Sequence, residues 1–247
     1  MQYPVYVISL AKDEERRNSL KKQFNSYNEF QIIDAVEGNK IDIQQYFKYL
    51  SGSLSKYNIL ISPNELGCTL SHIKAYEAFL ATDAEYCLIL EDDVVGNDEL
   101  IKKAFGFVDK VLKNSMILLG GEYPKAWGKK ISNDLYAVSR YSLQRIYNAH
   151  AYILDKQSAQ NLLNIQKETL TIADIWCYLL PQKNISLYYS KLIHQNDNEN
   201  PSNIEIERAI KTQHHLNPKK IRGLKYNLIR VIDRYFSEFL ITNKNKF

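Results

Sequence analysis

The chain has 247 residues, 45% of them hydrophobic and 12% aromatic, and a formal net charge of +4. This composition supplies the core of one sizeable domain, with or without a small appendage. No run of about 18 apolar residues is present, which excludes a membrane-spanning helix. The start of the sequence lacks the basic segment and the small-residue cleavage site of a signal peptide, so we expect a cytoplasmic protein.

The first part of the chain alternates apolar, β-rich segments with amphipathic ones. Residues 3–10 predict a buried strand, and a charged amphipathic helix follows it. A second strand is predicted at 30–36. Residues 42–50 indicate a short helix, and the serine-containing segment 51–61 indicates a loop.

A capping sequence marks the start of the longest predicted helix. Ser62 can cap the helix, Pro63 fits its first position, and Glu65 completes a capping box. We expect this helix to end near Thr82. The apolar run 86–90 that follows is typical of a central parallel strand covered on both faces.

Three carboxylates directly follow that strand, and we call Glu91, Asp92 and Asp93 the acidic motif. Adjacent like charges repel each other unless a cation joins them, and oxygen ligands of this kind suit Mg²⁺ or Mn²⁺. Because residues i and i+2 of an extended segment point the same way, Glu91 and Asp93 can face one ligand while Asp92 turns away. The alternative interpretation is a solvated acidic turn.

The second part of the chain continues the alternation of helices and strands. This order predicts an α/β fold with a largely parallel sheet, whose ligands bind at the carboxyl ends of the strands. The predicted helices are 98–113, 156–166 and 172–180. The predicted strands are 116–119, 149–154, 185–189, and one near 135–139 within the otherwise irregular stretch 122–145.

Three cysteines, Cys68, Cys87 and Cys177, are scattered along the chain. An odd number of cysteines in a reducing compartment indicates free thiols. Free cysteine usually acts as a small buried hydrophobic residue, so we expect a structural role for all three.

Two sequence motifs are the most distinctive, NELGCTLSH at 64–72 and LILEDD at 88–93. Together with shorter segments in consistent order along residues 3–204, they resemble the lipooligosaccharide glycosyltransferases of family 25. The shorter segments are 5–10, 15–17, 34–38, 149–154 and 173–174.

The resemblance implies a GT-A type, Rossmann-like α/β fold over residues 1–204, with a mostly parallel central sheet flanked by helices. It also implies a nucleotide-sugar donor, an inverting mechanism and a divalent metal, Mn²⁺ or Mg²⁺. Many family members are β-galactosyltransferases that use UDP-galactose to extend bacterial lipooligosaccharide, and others modify collagen. We therefore predict transfer of a hexose, with galactose as first choice, to a lipooligosaccharide or a related glycan.

Metal-binding and donor-binding roles follow from the same resemblance. Asp93 would ligate the metal directly, and Glu91 would assist at the metal or at the donor ribose. Asp92 is predicted to be on the donor side. His194 is a further candidate metal ligand, because GT-A enzymes often add a late histidine.

The remaining donor-binding and acceptor-binding candidates are spread along the sequence. Arg16 and Asp34 are expected near the nucleotide, although Arg16 could also lie on a solvated helix face. His72 could contact the donor or belong to a buried polar network. His150 is a candidate acceptor-binding residue whose alternative role is structural.

An inverting transfer needs a general base that deprotonates the acceptor hydroxyl. The resemblance points to Asp174 for this role, and an N-cap of the following helix is the alternative. Trp176, two residues later, could stack on the acceptor sugar.

Residues 205–247 are predicted to form a basic amphipathic helical extension. It could lie on anionic lipid at the inner face of the inner membrane, near a lipid-linked acceptor, or pack against the domain. Nucleic-acid binding is excluded, because no known reading motif accompanies the basic residues.

Two other classes of function compete with glycosyl transfer. A metal-dependent phosphoesterase could use the same carboxylates, but it would want more clustered ligands than a chain with five histidines offers. A non-catalytic nucleotide-sugar-binding relative is the other possibility. The joint presence of Asp93 and Asp174 argues against it.

Overall fold

An eight-stranded mixed sheet lies at the centre of the protein. The computed structural model describes residues 2–196 together with 204 and 207. β-Branched and aromatic residues are frequent in the strands, as is usual for segments on a buried pleated surface. In chain order the strands are β1 (Val5–Ser9), β2 (Gln31–Asp34), β3 (Tyr86–Glu91), β4 (Val94–Val95), β5 (Ser115–Leu118), β6 (Gly128–Ser132), β7 (Leu135–Val138), β8 (Ala151–Asp155), β9 (Ser186–Tyr189) and β10 (His194–Gln195).

The sheet is mostly parallel, as predicted, but two of its strands are reversed. Its spatial order is β2-β1-β3-β8-β5-β9-β7-β6. β1 pairs in parallel with β2 and β3, and β5 pairs in parallel with β9. β8 is antiparallel to β3 and β5, while β7 is antiparallel to β9 and β6. The start of β8 therefore meets the carboxyl end of β3, where the acidic motif begins.

Helices pack on both faces of the sheet. Alternate side chains of β3 enter two separate cores, Cys87 and Ile89 on one face and Leu88 and Leu90 on the other. This burial explains why β3 is apolar until its last residue, Glu91, reaches the edge of the sheet. The helices are α1 (Glu14–Gln23), α2 (Ile43–Tyr57), α3 (Pro63–Leu80), α4 (Asp98–Phe105), α5 (Lys156–Glu168) and α6 (Trp176–Leu179). Helices α3, α5 and α6 contribute to the first core, and α1 and α4 contribute to the second.

The start of α3 has the predicted capping box. Glu65 Oε2 accepts a hydrogen bond from the backbone amide of Ser62 at 2.8 Å, and Ser62 Oγ accepts one from the amide of Glu65 at 3.4 Å. Both residues are buried. The cap satisfies helix amides that would otherwise lack partners, and it fixes where α3 enters the domain.

Helix α2 is longer than predicted. It continues through the segment expected to be a loop, because Ser53 and Tyr57 are buried against the rest of the domain. Ser53 Oγ lies 3.3 Å from Thr171 Oγ1. The helix ends at Asn58, which adopts the left-handed conformation with φ of 54°.

Other element lengths also differ from the prediction. The stretch 122–145 contains the expected strand β7 and also β6, which pairs with it as a hairpin. Helix α4 ends at Phe105, just before Gly106, and not at residue 113. The helix predicted at 172–180 is reduced to the single turn α6, followed by a 3₁₀ segment.

The predicted boundary near 204 and the basic extension lie outside the described residues, except for Ile204 and Glu207. The Glu207 carboxylate accepts hydrogen bonds from Asn64 N at 3.2 Å and from Asn64 Nδ2 at 2.9 Å. It therefore lies at the start of α3. Within the described part of the chain, no helix combines the length and the apolarity needed to cross a bilayer.

Candidate active site

A cavity of about 480 Å³ opens at the carboxyl ends of β1 and β3. Its walls come from the end of β1, the start of α1, the loop after β2, the start of α3 and the acidic motif. The lining includes Ser9, Arg16, Asn64, Cys68, Glu91 and Asp92. This is the edge of the sheet at which a ligand is expected in an open α/β fold.

Two glycines let one wall of this cavity form. A Cβ atom at Gly38 would lie 2.1 Å from Pro63 O, and one at Gly67 would lie 2.5 Å from Val36 O. These distances are far below any real Cβ contact, so only glycine allows the loop after β2 to lie against the start of α3.

The three carboxylates of the acidic motif have different surroundings. Glu91 is the last residue of β3, and the chain then turns before β4. Asp92 lines the cavity together with Glu91. The prediction that Asp92 turns away was therefore wrong, because the extended alternation stops at Glu91. The lining does not include Asp93, whose side chain is 11% exposed.

Arg16 on α1 supplies the cation nearest to Asp92. Its Nη1 lies 3.1 Å from Asp92 Oδ1 and 3.9 Å from Asp93 Oδ2. The Arg16 side chain is 29% exposed, so it lines the cavity while it pairs with the carboxylates. The structure thus joins Arg16 to the acidic motif, and the alternative of a freely solvated helix face is wrong.

Asp34 lies at the end of β2 and is held by the next residue of α1. Arg17 donates to Asp34 Oδ1 at 3.2 Å and to Ser9 Oγ at 2.9 Å. The Asp34 carboxylate stays 76% exposed. Its donor-binding role stays a prediction, with the carboxylate oriented and open to solvent.

His72 on α3 forms the predicted buried polar network. Its Nδ1 lies 2.7 Å from Tyr152 Oη, and Tyr152 in turn donates to Tyr76 Oη at 3.1 Å. The other ring nitrogen, Nε2, lies 3.3 Å from Glu91 Oε1. The network therefore ends on the acidic motif, and His72 holds Glu91 from behind the cavity wall.

Burial and mutual repulsion shape the charges of the motif. Burial, followed by the negative charge of Glu91, raises the pKa of Asp93 to about 7. Burial also raises the pKa of Asp92, against the opposing effects of Ser9 and Arg16. Burial alone would raise the pKa of Glu91, but the hydrogen bond with His72 and the nearby positive charges lower it. A further cation beside the motif would therefore stabilise the ionised forms of Asp92 and Asp93.

Asp93 Oδ1 is a buried oxygen without a hydrogen-bond partner among the described residues. An unsatisfied buried oxygen beside two other carboxylates is the arrangement that a hard divalent cation completes. The acidic motif thus offers oxygen ligands of the type that the predicted metal prefers, with Glu91 and Asp93 as the candidate ligands.

Strand β10 brings a glutamine to Asp93. Gln195 Nε2 donates to Asp93 Oδ2 at 2.9 Å, and the backbone amide of Asn196 donates to Asp93 O at 2.9 Å. The neighbouring His194 is exposed and pairs with Val95 in the β10–β4 ladder. Its role as a metal ligand stays a prediction. Gln195 is a site residue that no sequence pattern indicated, although it directly follows the candidate ligand His194.

Asp174 lies just before α6 and is not its cap. The N-cap is Ile175, and Asp174 Oδ2 accepts a hydrogen bond from the backbone amide of Asn148 at 3.2 Å. The alternative N-cap role was therefore wrong. The carboxylate is half-buried and is linked through Asn148 to the segment that precedes β8.

Two residues predicted to bind the acceptor are buried. Trp176 is fully buried, and its Nε1 donates to Asn148 O at 2.9 Å. His150 is 2% exposed, and its backbone carbonyl accepts the amide of Glu91 at 2.8 Å. A Cβ atom at Gly120 would lie 2.3 Å from His150 Nε2, so the ring is enclosed. This burial argues against contacts of Trp176 and His150 with an acceptor sugar, and their acceptor-binding roles stay predictions.

Comparison with known proteins identifies the family of the chain. The family model described as Glycosyltransferase family 25 (LPS biosynthesis protein) matches residues 2–176. The lipooligosaccharide biosynthesis protein lic2B of Haemophilus influenzae is 24% identical over 240 residues, which are 91% of this chain and 88% of that protein. Human procollagen galactosyltransferase 2 is 26% identical over 113 residues, which are 43% of this chain and 18% of that protein.

A crystal structure of the galactosyltransferase LgtC with donor and acceptor sugar analogues is also similar. The TM-score is 0.38 and the identity 10%, over 74% of this chain and 72% of that one. The mostly parallel sheet with helices on both faces is the α/β architecture that was predicted. Because the family match spans residues 2–176 of the 247, the chain belongs to glycosyltransferase family 25.

Proposed function

We propose that the chain is an inverting glycosyltransferase that uses a nucleotide-sugar donor and a divalent metal ion, Mn²⁺ or Mg²⁺. The observation that supports this most is the buried, unsatisfied Oδ1 of Asp93, next to two further carboxylates at the edge of a 480 Å³ cavity. A cavity of this size suits a ligand of nucleotide dimensions. The family assignment supplies the class of reaction.

Donor binding is assigned to the cavity walls. Arg16 is the cation nearest to the acidic motif and can face the nucleotide diphosphate. Asp34, at the rim, offers an exposed carboxylate to a ribose hydroxyl. His72 acts through Glu91, whose orientation it holds at 3.3 Å.

Glu91 and Asp93 would hold the metal. When bound, such an ion neutralises the charge that develops on a departing diphosphate. Asp92 keeps Arg16 beside this position through the 3.1 Å ion pair. Gln195 fixes one oxygen of Asp93 and leaves the other for ligation.

Asp174 is our candidate general base for the acceptor hydroxyl. Its half-buried carboxylate is tied to Asn148, two residues before His150, whose carbonyl binds the amide of Glu91. This chain of contacts couples the position of Asp174 to the acidic motif. A carboxylate held in this way can take the acceptor proton as the glycosidic bond forms.

Galactose from UDP-galactose is the proposed donor sugar, and a lipooligosaccharide or related glycan is the proposed acceptor. Two relatives support this choice, human procollagen galactosyltransferase 2 and the lipooligosaccharide biosynthesis protein lic2B of Haemophilus influenzae. Peripheral membrane contact through residues 205–247 stays a prediction. Liposome flotation of the protein with and without the residues after Asn217 tests this prediction. Equal flotation of the two forms would contradict it.

A donor screen tests the proposed reaction. Purified protein with Mn²⁺ is incubated with a panel of nucleotide sugars and a glycan acceptor, and the released nucleotide is measured. We expect release from UDP-galactose above all other donors. Binding of the donor without any release would indicate the non-catalytic alternative. Release of inorganic phosphate from simple phosphate esters would indicate the phosphoesterase.

Two variants test the metal-binding role of Asp93 and the general-base role of Asp174, and a third serves as the control. Asp93→Asn should abolish transfer and metal-dependent nucleotide binding together. Asp174→Asn should stop transfer and leave nucleotide binding intact. Asp134→Asn is the control, because Asp134 is an exposed aspartate that pairs with Lys103 on the surface. Near-normal transfer by Asp174→Asn would show that another group takes the proton.

A further inference from the structure

A thiol, an imidazole and a carboxylate converge at the wall of the donor cavity. Cys68 and His72 are four residues apart on α3, so they lie on the same face of the helix. Glu91 approaches them from the end of β3. One potential ligand atom from each of the three residues lies within 4.8 Å of the other two.

The hydrogen bonds of His72 prepare its second nitrogen for a cation. Tyr152 donates a hydrogen bond to Tyr76 Oη at 3.1 Å. The Tyr152 oxygen can therefore accept a hydrogen bond from His72 Nδ1, which lies 2.7 Å away. Nε2 then faces Glu91 Oε1 at 3.3 Å. A nitrogen lone pair and a carboxylate repel each other unless a proton or a metal ion lies between them. Metal-binding histidines are usually oriented by this kind of contact at the opposite nitrogen.

The ligand set differs in character from the acidic motif. A thiolate, an imidazole and one carboxylate prefer Zn²⁺, whereas Mn²⁺ and Mg²⁺ prefer oxygen ligands. Tetrahedral Zn²⁺ places its ligand atoms about 3.5 Å apart, so small side-chain rotations would close the site. Cys68 and Glu91 also line the cavity, which leaves an open side for water or a phosphate oxygen.

We propose that Cys68, His72 and Glu91 form a Zn²⁺ site in the wall of the donor cavity, distinct from the site at Asp93. The two sites share Glu91. Zinc at Cys68 therefore draws Glu91 away from Asp93 and inhibits the transfer reaction. The inhibition rests on the proposed function, but zinc binding itself does not.

Zinc binding is measured first, without any donor or acceptor. The full chain competes with a chromogenic chelator for Zn²⁺, and one equivalent should bind. Cys68→Ser and His72→Gln should each lose this equivalent. Tyr152→Phe should lower the affinity about 10- to 100-fold, as expected for loss of an orienting contact. Cys177→Ser is the matched control, because Cys177 is also a half-buried cysteine that forms no disulfide, and the variant should bind zinc like the wild type.

Cobalt gives a readout that does not depend on the variants folding. Co²⁺ added to the wild type should show a thiolate-to-cobalt charge-transfer band, which Zn²⁺ then displaces. Absence of this band, or equal zinc affinity of Cys68→Ser and wild type, overturns the site. Asp93→Asn should keep the band, which separates this site from the proposed catalytic metal. If zinc binds but the protein transfers no sugar, the proposed function fails while the zinc site stands.

Discussion

Gln195 donates a hydrogen bond from Nε2 to Asp93 Oδ2 at 2.9 Å and thereby joins two segments that are 102 residues apart in the sequence. Asp93 Oδ1 is left without a hydrogen-bond partner among the described residues. The glutamine therefore selects which oxygen of Asp93 is available to a metal ion. This contact assigns Gln195 a positioning role at the proposed metal site.

Replacement of Gln195 by alanine should weaken Mn²⁺ binding about 10- to 100-fold, because the contact that orients a ligand is lost. Calorimetric titration with Mn²⁺ measures the change. His194→Ala is the informative comparison, since His194 was the predicted ligand and is exposed on the same strand. A larger loss in His194→Ala than in Gln195→Ala would restore His194 as a direct ligand.

Mn²⁺ should stabilise the protein more at pH 8 than at pH 6. The pKa of Asp93 is raised from 3.8 to about 7 by burial and by Glu91, so its contribution to stability falls as the pH rises through this range. Near pH 8 the ionised carboxylate is free to bind the metal, whereas at pH 6 a proton competes with it. Thermal melts with and without Mn²⁺ at both pH values test this. Equal increases in Tm at the two pH values would contradict the assignment.

Gly67→Ala should destabilise the fold by about 1–3 kcal/mol, the usual range for overpacking. The added methyl group would meet backbone atoms of the loop after β2, which cannot move away as a side chain can. Nucleotide binding should weaken as well, since this loop is a wall of the cavity. Urea unfolding gives the free energy.

Gly52→Ala is the control for that experiment. Its new Cβ would lie 3.5 Å from Thr169 Cγ2, an ordinary contact, within helix α2. Alanine is favoured over glycine in a helix by about 0.5–1 kcal/mol, so this variant should be as stable as the wild type or more stable. Equal losses in both variants would show that the close approach at Gly67 is unimportant.

Trp176→Phe should lower the stability by about 1–3 kcal/mol, because the carbonyl of Asn148 would lose the indole N–H in a buried place. The KM for the acceptor should stay unchanged, since Trp176 has no exposed face. Trp127→Phe, at the other tryptophan of the chain, should have a smaller effect on stability. A raised acceptor KM with normal stability would support the original stacking hypothesis.

The sequence predicted best what depends on neighbouring residues. Local patterns determine the capping box of Ser62 and Glu65, the buried strand before Glu91, and the alternation of strands and helices along the chain. The pattern of the acidic motif left both a metal site and a solvated turn open, and the family resemblance favoured the metal site. The extent of α2 was missed, because burial of Ser53 and Tyr57 by distant segments overrides the loop-forming character of the serines.

Contacts between distant segments also account for the errors in the site. Trp176 was predicted to stack on the acceptor sugar, but the fold buries it and places both Trp176 and Asp174 around the Asn148 backbone. Gln195 was overlooked beside His194, because only the pairing of β10 with β4 shows which residue reaches Asp93. The direction of β8 could not be predicted either, because parallel and antiparallel buried strands have the same apolar pattern.

The reversed strand β8 also determines when the site can be completed during synthesis. Most residues of the cavity wall, from Ile8 to Asp92, leave the ribosome well before Tyr152 and Gln195, which hold His72 and Asp93. Contacts this distant in sequence close late in folding, because the intervening chain must first be ordered. A nascent chain that ends before β8 should therefore carry all three carboxylates but lack Tyr152 and Gln195. Metal affinity should appear only when the second half of the chain has joined the sheet.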